Sequence, residues 1–252
     1  SRYGGGVHAP PVVAHRGLAT RYPENTLSAF RAALEAGARY VELDLQLSSD
    51  GVAIVHHDWD TSRTCGVPGV IGERAAAKLS HLRASYTERF GASFEDEPLP
   101  TLRDACVLFA AWPDVTVFLE IKPHSVERFG AEVVLDAILP HAEALGDRAV
   151  LLSFSHDVLA AARSRSALQR GVACDRYAEL NDELFDAIDP AHVFCDVEEL
   201  PEGGSLAING RTLTVWEVVE PALAKSLLAR GVDLIETFSC DALIKALAQG
   251  LD

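Results

Sequence analysis

Short β-type runs alternate with amphipathic helical stretches along nearly all of this 252-residue chain. That rhythm constrains the fold more than any single motif. Extended runs read at 12–15, 40–47, 52–56, 115–121, 149–154, 171–174, 193–195, 212–216 and 233–236, the run at 52–56 following an Asp50-Gly51 turn. Helical spacing of apolar residues reads at 26–36, 102–111, 126–145, 157–165, 179–188, 221–229 and 242–248. Gly37 stops the first helix, and Pro140 sits inside the third. Such alternation predicts a parallel sheet covered by helices. Eight strand–helix units in about 250 residues fit a (β/α)8 TIM barrel of the α/β class. The alternative is a doubly wound open sheet. It usually opens with a Gly-rich first turn, and Gly17 alone does not make one. Residues 59–100 break the rhythm and are too long for an ordinary connection. They read as an insertion after the second strand, with its own helix near 73–82, lying over the active-site face. No repeat and no linker divides the chain, so residues 1–252 read as one domain.

Composition narrows the function classes. Hydrophobic residues are 48% and charged residues 23%, which excludes a disordered chain or a small disulfide scaffold. No apolar run reaches the roughly 18 residues of a membrane helix, so no transmembrane segment is expected. Residues 1–10 are Gly-rich, lack the pattern of a signal peptide and read as a disordered arm. The 22 basic and 37 acidic residues leave a net charge of −15. Nucleic acid and anionic membranes are therefore not expected as partners. An anionic substrate would need local positive charge from Arg, Lys or a metal. Cys65, Cys106, Cys174, Cys195 and Cys240 are odd in number, widely spaced and without a C-x-x-C pair. Reduced thiols in a cytoplasmic protein are the expectation, and zinc is not.

Polar residues gather at predicted strand ends. In Val41-Glu42-Leu43-Asp44-Leu45 the two carboxylates are two apart, and strand period puts them on one face. Glu120 and Lys122 repeat this spacing in a later strand. His15 and Arg16 close the first strand, and His57 and Asp58 close the run at 52–56. Were these strands parallel neighbours in a barrel, all of these groups would converge on the rim where barrel enzymes place their chemistry. Glu42, Asp44 and Glu120 cannot stand together bare, because like charges would force protonation. One hard divalent cation removes the conflict, and all-oxygen ligation suits Mg²⁺ or Ca²⁺. Arg16 and Lys122 suit a phosphate. Histidine, with an unperturbed pKa near 6.5, makes His15 and His57 candidates for an acid–base pair.

Taken together, His15-Arg16-Gly17, Pro23-Glu24-Asn25-Thr26, Glu42-x-Asp44, His57-Asp58 and Glu120-Ile121-Lys122 resemble the glycerophosphodiester phosphodiesterase family. Weaker similarity continues through Ser153-Phe154, Val215-Trp216 and Gly231-Val232-Asp233. The resemblance implies a (β/α)8 barrel with a small insertion after the second strand. It implies Glu42, Asp44 and Glu120 as metal ligands and His15 and His57 as general acid and base. Arg16 and Lys122 would bind phosphate. Glu24 would lie near the metal or the histidines, and Asn25 would orient the loop or cap a helix. Trp216 would offer an apolar wall to glycerol carbons. The implied reaction converts a small-molecule glycerophosphodiester, such as glycerophosphocholine or glycerophosphoethanolamine, to glycerol 3-phosphate and an alcohol. Attack by water and attack by the glycerol 2-hydroxyl both stay open. One departure is visible. The family often closes its last strand with Thr-Asp-x-Pro, whereas Thr237 here is followed by Phe238, Ser239 and Cys240. The pocket wall there is expected to differ, and with it the alcohol group.

Each residue also has a structural explanation. An E-x-D pair on one strand is more often a solvated face, and the second pair at Glu120 and Lys122 is what argues for a metal. Neutralising Glu120 is reason enough for Lys122. Trp216 suits core as well as pocket. Asn25 precedes a helix start. Asp58 reads as an orienting partner of His57. His56 should face away from His57. Ser153 and Phe154 suit core packing, and His124 and His156 receive no role. Three other functions compete: phospholipase D-like hydrolysis of lysophospholipids on the same barrel, a Schiff-base aldolase using Lys122, and a silent phosphate binder. No sequence feature specifies an oligomeric state.

Overall fold

The structure is a computed structural model, and it describes residues 9–249. The expected arm at residues 1–10 therefore lies, for residues 1–8, outside the described residues. Among the described residues nine strands run in chain order. They are β1 (Val12–Ala14), β2 (Tyr40–Leu47), β3 (Ala53–Val55), β4 (Thr116–Ile121), β5 (Ala149–Ser153), β6 (Gln169–Cys174), β7 (His192–Asp196), β8 (Thr212–Trp216) and β9 (Leu234–Thr237). Eight of them pair in parallel, and β1 bonds to both β2 and β9, so the sheet closes on itself. This is the (β/α)8 barrel the alternation predicts. Among the described residues no helix is long and apolar enough to cross a membrane.

Strand period sorts side chains into two populations. Val41, Leu43, Leu45, Val117, Leu119 and Ile121 point outward into the large core beneath the helices. Val13, Phe118, Val150, Leu152, Phe194 and Leu234 fill the barrel interior. Phe118 and Phe194 meet edge to face with centroids 4.9 Å apart. Each fully buried aromatic contributes roughly 1.5–3 kcal/mol of transfer free energy. One step further along the inward-facing series, apolar residues give way to polar ones. Val13 is followed by His15, Phe118 by Glu120 and Lys122, and Leu234 by Glu236. An apolar floor thus lies beneath a polar rim.

Three stretches refine the expected pattern. The extended piece at 52–56 follows the expected turn and pairs antiparallel to β2 as β3, Leu45 facing Val55, so it is not one of the parallel barrel strands. The hairpin turns at Asp50-Gly51 and brings the chain back, so the His56 N–H bonds to the Asp44 carbonyl. His57 reaches the rim on this returning strand rather than at a parallel strand end. The helical stretch 126–145 is instead two helices, Pro123–Phe129 and Ala131–Ala142, with Pro140 inside the second. Pro123 takes the first helical position, which suits a residue lacking N–H, and Gly130 breaks the run at φ 83°. The connection from β7 to β8 carries only the 3-10 turn Val197–Glu199, because Pro201, Gly203 and Gly204 oppose a helix there.

Residues 59–100 hold only short helical pieces, including Ile71–Glu73 and Ala76–Leu79 where one helix was expected. Ile54, Cys65, Ile71, Leu79, Ala84 and Leu99 form a small core of their own beneath them. Glu97 ties this segment to the first barrel helix, accepting from Ser28 Oγ at 2.6 Å.

Candidate active site

The turn after β1 starts the site. Arg16 adopts φ 56° and Gly17 φ 83°. A Cβ on Gly17 would lie 2.6 Å from the Ala29 carbonyl carbon, so only glycine fits. This turn aims the Arg16 N–H at Glu42 Oε2, 3.1 Å away. It also curls the guanidinium back, with Nη1 donating to Glu24 Oε1 at 2.8 Å and Nε 3.1 Å from Asp44 Oδ2. Thr26 caps the following helix. Asn25 is left free to grip Asp44: its Nδ2 donates to Oδ2 at 2.8 Å, and its Oδ1 accepts from the Asp44 N–H at 3.2 Å.

Glu42, Asp44 and Glu120 are all buried, and each offers an oxygen within 4.8 Å of the others. Lys122 Nζ donates to Glu120 Oε1 at 2.7 Å and lies 3.3 Å from Asp44 Oδ1. Burial pushes the Glu42 carboxyl well above the usual range, and Asp44, Glu236 and Glu120 push the same way. Burial acts likewise on Asp44, but Lys122 and Arg16 outweigh it and hold that carboxyl below its ordinary value. Burial disfavours the charged Lys122, yet Asp44 and Glu120 raise its pKa above the ordinary value. A lysine held as the ammonium is a poor Schiff-base nucleophile, which counts against the aldolase reading. Glu42 Oε1 has no hydrogen-bond partner among the described residues. A buried acceptor without a partner, in a set of three clustered carboxylates, fits a hard divalent cation with oxygen ligands.

Each of the two histidines has a carboxylate at Nδ1. His15 Nδ1 lies 2.9 Å from Glu217 Oε2, and His57 Nδ1 lies 2.8 Å from Asp58 Oδ1. Asp58 in turn accepts from Arg63 Nε at 2.6 Å and Nη2 at 2.9 Å. The same guanidinium forks onto Glu24, 2.8 Å from each oxygen. Burial raises the Glu24 pKa, but hydrogen bonds from Arg63 and the charge of Arg16 overcome it and bring it down to about 2. His56 is buried, its Nε2 3.3 Å from the Asp60 carbonyl.

His15, Arg16, His57, Glu120 and Lys122 line one cavity of about 120 Å³. Phe154, Phe194 and Trp216 form its apolar wall, and Trp216 also packs edge-on against Phe154 at 5.8 Å. Trp216 thus serves pocket and core together. Ser153 is turned away, donating to the Ile121 carbonyl at 2.6 Å. His124 packs against the edge of Trp59, and His156 is exposed.

Four residues at this rim escape the sequence reading. Glu236 lines the cavity, is buried, and has no partner for Oε1 among the described residues. The period-two step from Leu234 could have found it. Phe238 stacks on His15 with centroids 4.2 Å apart and planes 6° from parallel. It stands in the segment where the family pattern is broken. Glu217 lies just beyond the end of β8, and Arg63 lies in the one-turn helix Ser62–Cys65, too short for periodicity to mark it.

Comparison with known proteins agrees with this geometry. A sequence profile of the glycerophosphoryl diester phosphodiesterase family matches residues 15–239. The chain is 30% identical over 246 residues to a glycerophosphodiester phosphodiesterase from Caldanaerobacter subterraneus subsp. tengcongensis, covering 95% of this chain and 98% of that protein. A phosphodiesterase from Oleispira antarctica, solved with the product sn-glycerol-3-phosphate, superposes with a TM-score of 0.83 at 24% identity, covering 95% and 97% of the two chains. A glycerophosphodiester phosphodiesterase from Agrobacterium tumefaciens superposes with a TM-score of 0.76 at 22% identity, covering 93% and 98%.

Proposed function

The chain belongs to the glycerophosphoryl diester phosphodiesterase family, and from that premise we propose that it hydrolyses small glycerophosphodiesters such as glycerophosphocholine or glycerophosphoethanolamine. The products are glycerol 3-phosphate and the free alcohol. The observation that carries this reading is one cavity lined by both histidines, Arg16 and Lys122, beside three clustered carboxylates.

Glu42, Asp44 and Glu120 would hold one divalent cation, Mg²⁺ or Ca²⁺. Bound there, it would supply countercharge and polarise the phosphoryl oxygens. Arg16 and Lys122 face the cavity as donors for the anionic phosphate. Hydrolysis breaks the bond from phosphorus to the alcohol oxygen and forms one to the attacking oxygen. A proton must leave the nucleophile and another must reach the departing alkoxide. His15 and His57 stand at the cavity for these two transfers. Glu24, Asn25 and Asp58 act through others: Asn25 fixes Asp44, Glu24 fixes Arg16 and Arg63, and Asp58 fixes His57. Trp216 meets the glycerol carbons.

This reading takes residues 1–252 as a single catalytic domain, with 59–100 over the active-site face. Arg63, reaching from that segment to Glu24 and Asp58, supports it. A cytoplasmic location goes with the five free cysteines.

The test is release of glycerol 3-phosphate from glycerophosphocholine and glycerophosphoethanolamine, with Mg²⁺ or Ca²⁺ and then with excess EDTA. Release abolished by EDTA is expected. Release unaffected by EDTA would remove the cation from the reading. No release from either diester with either metal would overturn the substrate class.

A further inference from the structure

Glu217 belongs to none of the motifs in the sequence. It follows Trp216 at the end of β8 and reaches across the rim to β1 and β9. One carboxylate oxygen, Oε2, lies 2.9 Å from His15 Nδ1. The other, Oε1, accepts from Thr237 Oγ1 at 3.0 Å and from the Phe238 N–H at 2.8 Å. An ionised carboxylate only accepts hydrogen bonds, so the ring proton of neutral His15 belongs on Nδ1. Nε2 then carries a free lone pair. It lies 3.9 Å from Glu42 Oε2 at the cavity. The Phe238 face holds the imidazole plane.

We propose that Glu217 is a positioning residue that sets the tautomer of His15 and keeps Nε2 unprotonated toward the cavity. This rests on the use of His15 in proton transfer proposed above. It identifies His15 as the histidine prepared to take a proton.

The hydrogen-bond pattern yields an unusual signature. In Glu217→Gln the Phe238 N–H still needs an acceptor, and a backbone N–H can only donate. The amide oxygen therefore stays where Oε1 was. The amide NH₂ falls where Oε2 was, facing His15 Nδ1. Two donors cannot share that bond, so Nδ1 must accept and the ring proton moves to Nε2. The near-isosteric variant installs the wrong tautomer. Glu217→Ala removes the constraint without reversing it, and both tautomers become available. A merely structural Glu217 would give the opposite order, with Gln milder than Ala. In the serine-protease triad, the equivalent Asp-to-Asn change costs about 10⁴-fold in turnover through the wrong tautomer.

The experiment uses the full chain labelled with ¹⁵N-histidine, with His15 assigned by the signals lost in His15→Asn. Two-bond ¹H–¹⁵N spectra should show His15 protonated on Nδ1 in the wild type and on Nε2 in Glu217→Gln. Turnover should fall about 100-fold or more in Glu217→Gln and about tenfold in Glu217→Ala, with KM within about threefold in both. Thermal melts establish that both variants fold. An unchanged tautomer in Glu217→Gln, or higher turnover in Glu217→Gln than in Glu217→Ala, would overturn the proposal. If the wild type hydrolysed neither diester, the proposed function would fall, and the spectra would still support or overturn the tautomer assignment.

Discussion

His15 and His57 sit at one cavity, each with a carboxylate at Nδ1, yet they are built from different parts of the molecule. His15 closes a barrel strand, is stacked on Phe238, and answers to a glutamate gripped by the β9 segment. Its side chain is 12% exposed. His57 arrives on the returning arm of a hairpin, and its side chain is 32% exposed. Its partner Asp58 is held by Arg63, which stands in the insertion. One dyad is therefore part of the closed barrel. The other depends on a segment with a small core of its own. The contrast teaches how such a site can combine a fixed group with an adjustable one: the closed sheet holds the first, and the insertion sets the second.

The two dyads should separate under perturbation, and the largest expected effect is on stability at the insertion seam. Glu24 joins Arg16 of the barrel to Arg63 of the insertion. Its folded pKa lies at about 2 against an ordinary 4.5, so the unfolded chain binds the extra proton between these values. The stabilisation is complete above about pH 4.5 and is lost as pH falls to about 2. It amounts to roughly 3 kcal/mol at full ionisation. Denaturant titrations should show the stability gap between wild type and Glu24→Gln closing across that window. A gap constant with pH would detach Glu24 from the seam.

Next is Arg63→Ala, which frees Asp58 and Glu24 together. Turnover should fall about 30-fold, a loss of roughly 2 kcal/mol in transition-state stabilisation. The His15 ¹⁵N signals should stay in place. Movement of both histidines in such spectra would mean that the dyads form one unit. The smallest effect is expected from Phe238→Leu, which removes the stack on His15. Loss of an aromatic pair costs about 0.5–1.5 kcal/mol, read as a modest drop in melting temperature. The His57 environment should be untouched.

Much of the barrel and rim is legible in the chain itself. Alternation at Glu42 and Asp44, and again at Glu120 and Lys122, puts these groups on the inner face because strand period is two. The same rule reaches Glu236, which stands alone as a charge in its strand and so attracts no notice in a linear reading. The path of His57 is another matter. The Asp50-Gly51 turn announces a second extended piece, but only the pairing shows it running back along β2 and carrying His57 to the rim. The break at Phe238 is visible in the sequence, but its stacking on His15 is not, since no local pattern records which ring lies across the closed sheet.

Local periodicity, then, decided the element types, the inward faces and the apolar floor beneath a polar rim, because these follow from backbone geometry within a few residues. Tertiary structure alone decided what orients His15 and what holds Asp58 against His57. Glu217 meets His15 across 202 residues of chain, and Arg63 meets Glu24 across 39. Contacts of that span exist only once the sheet has closed and the insertion has folded down on it, and nothing in the spacing of neighbouring residues encodes them.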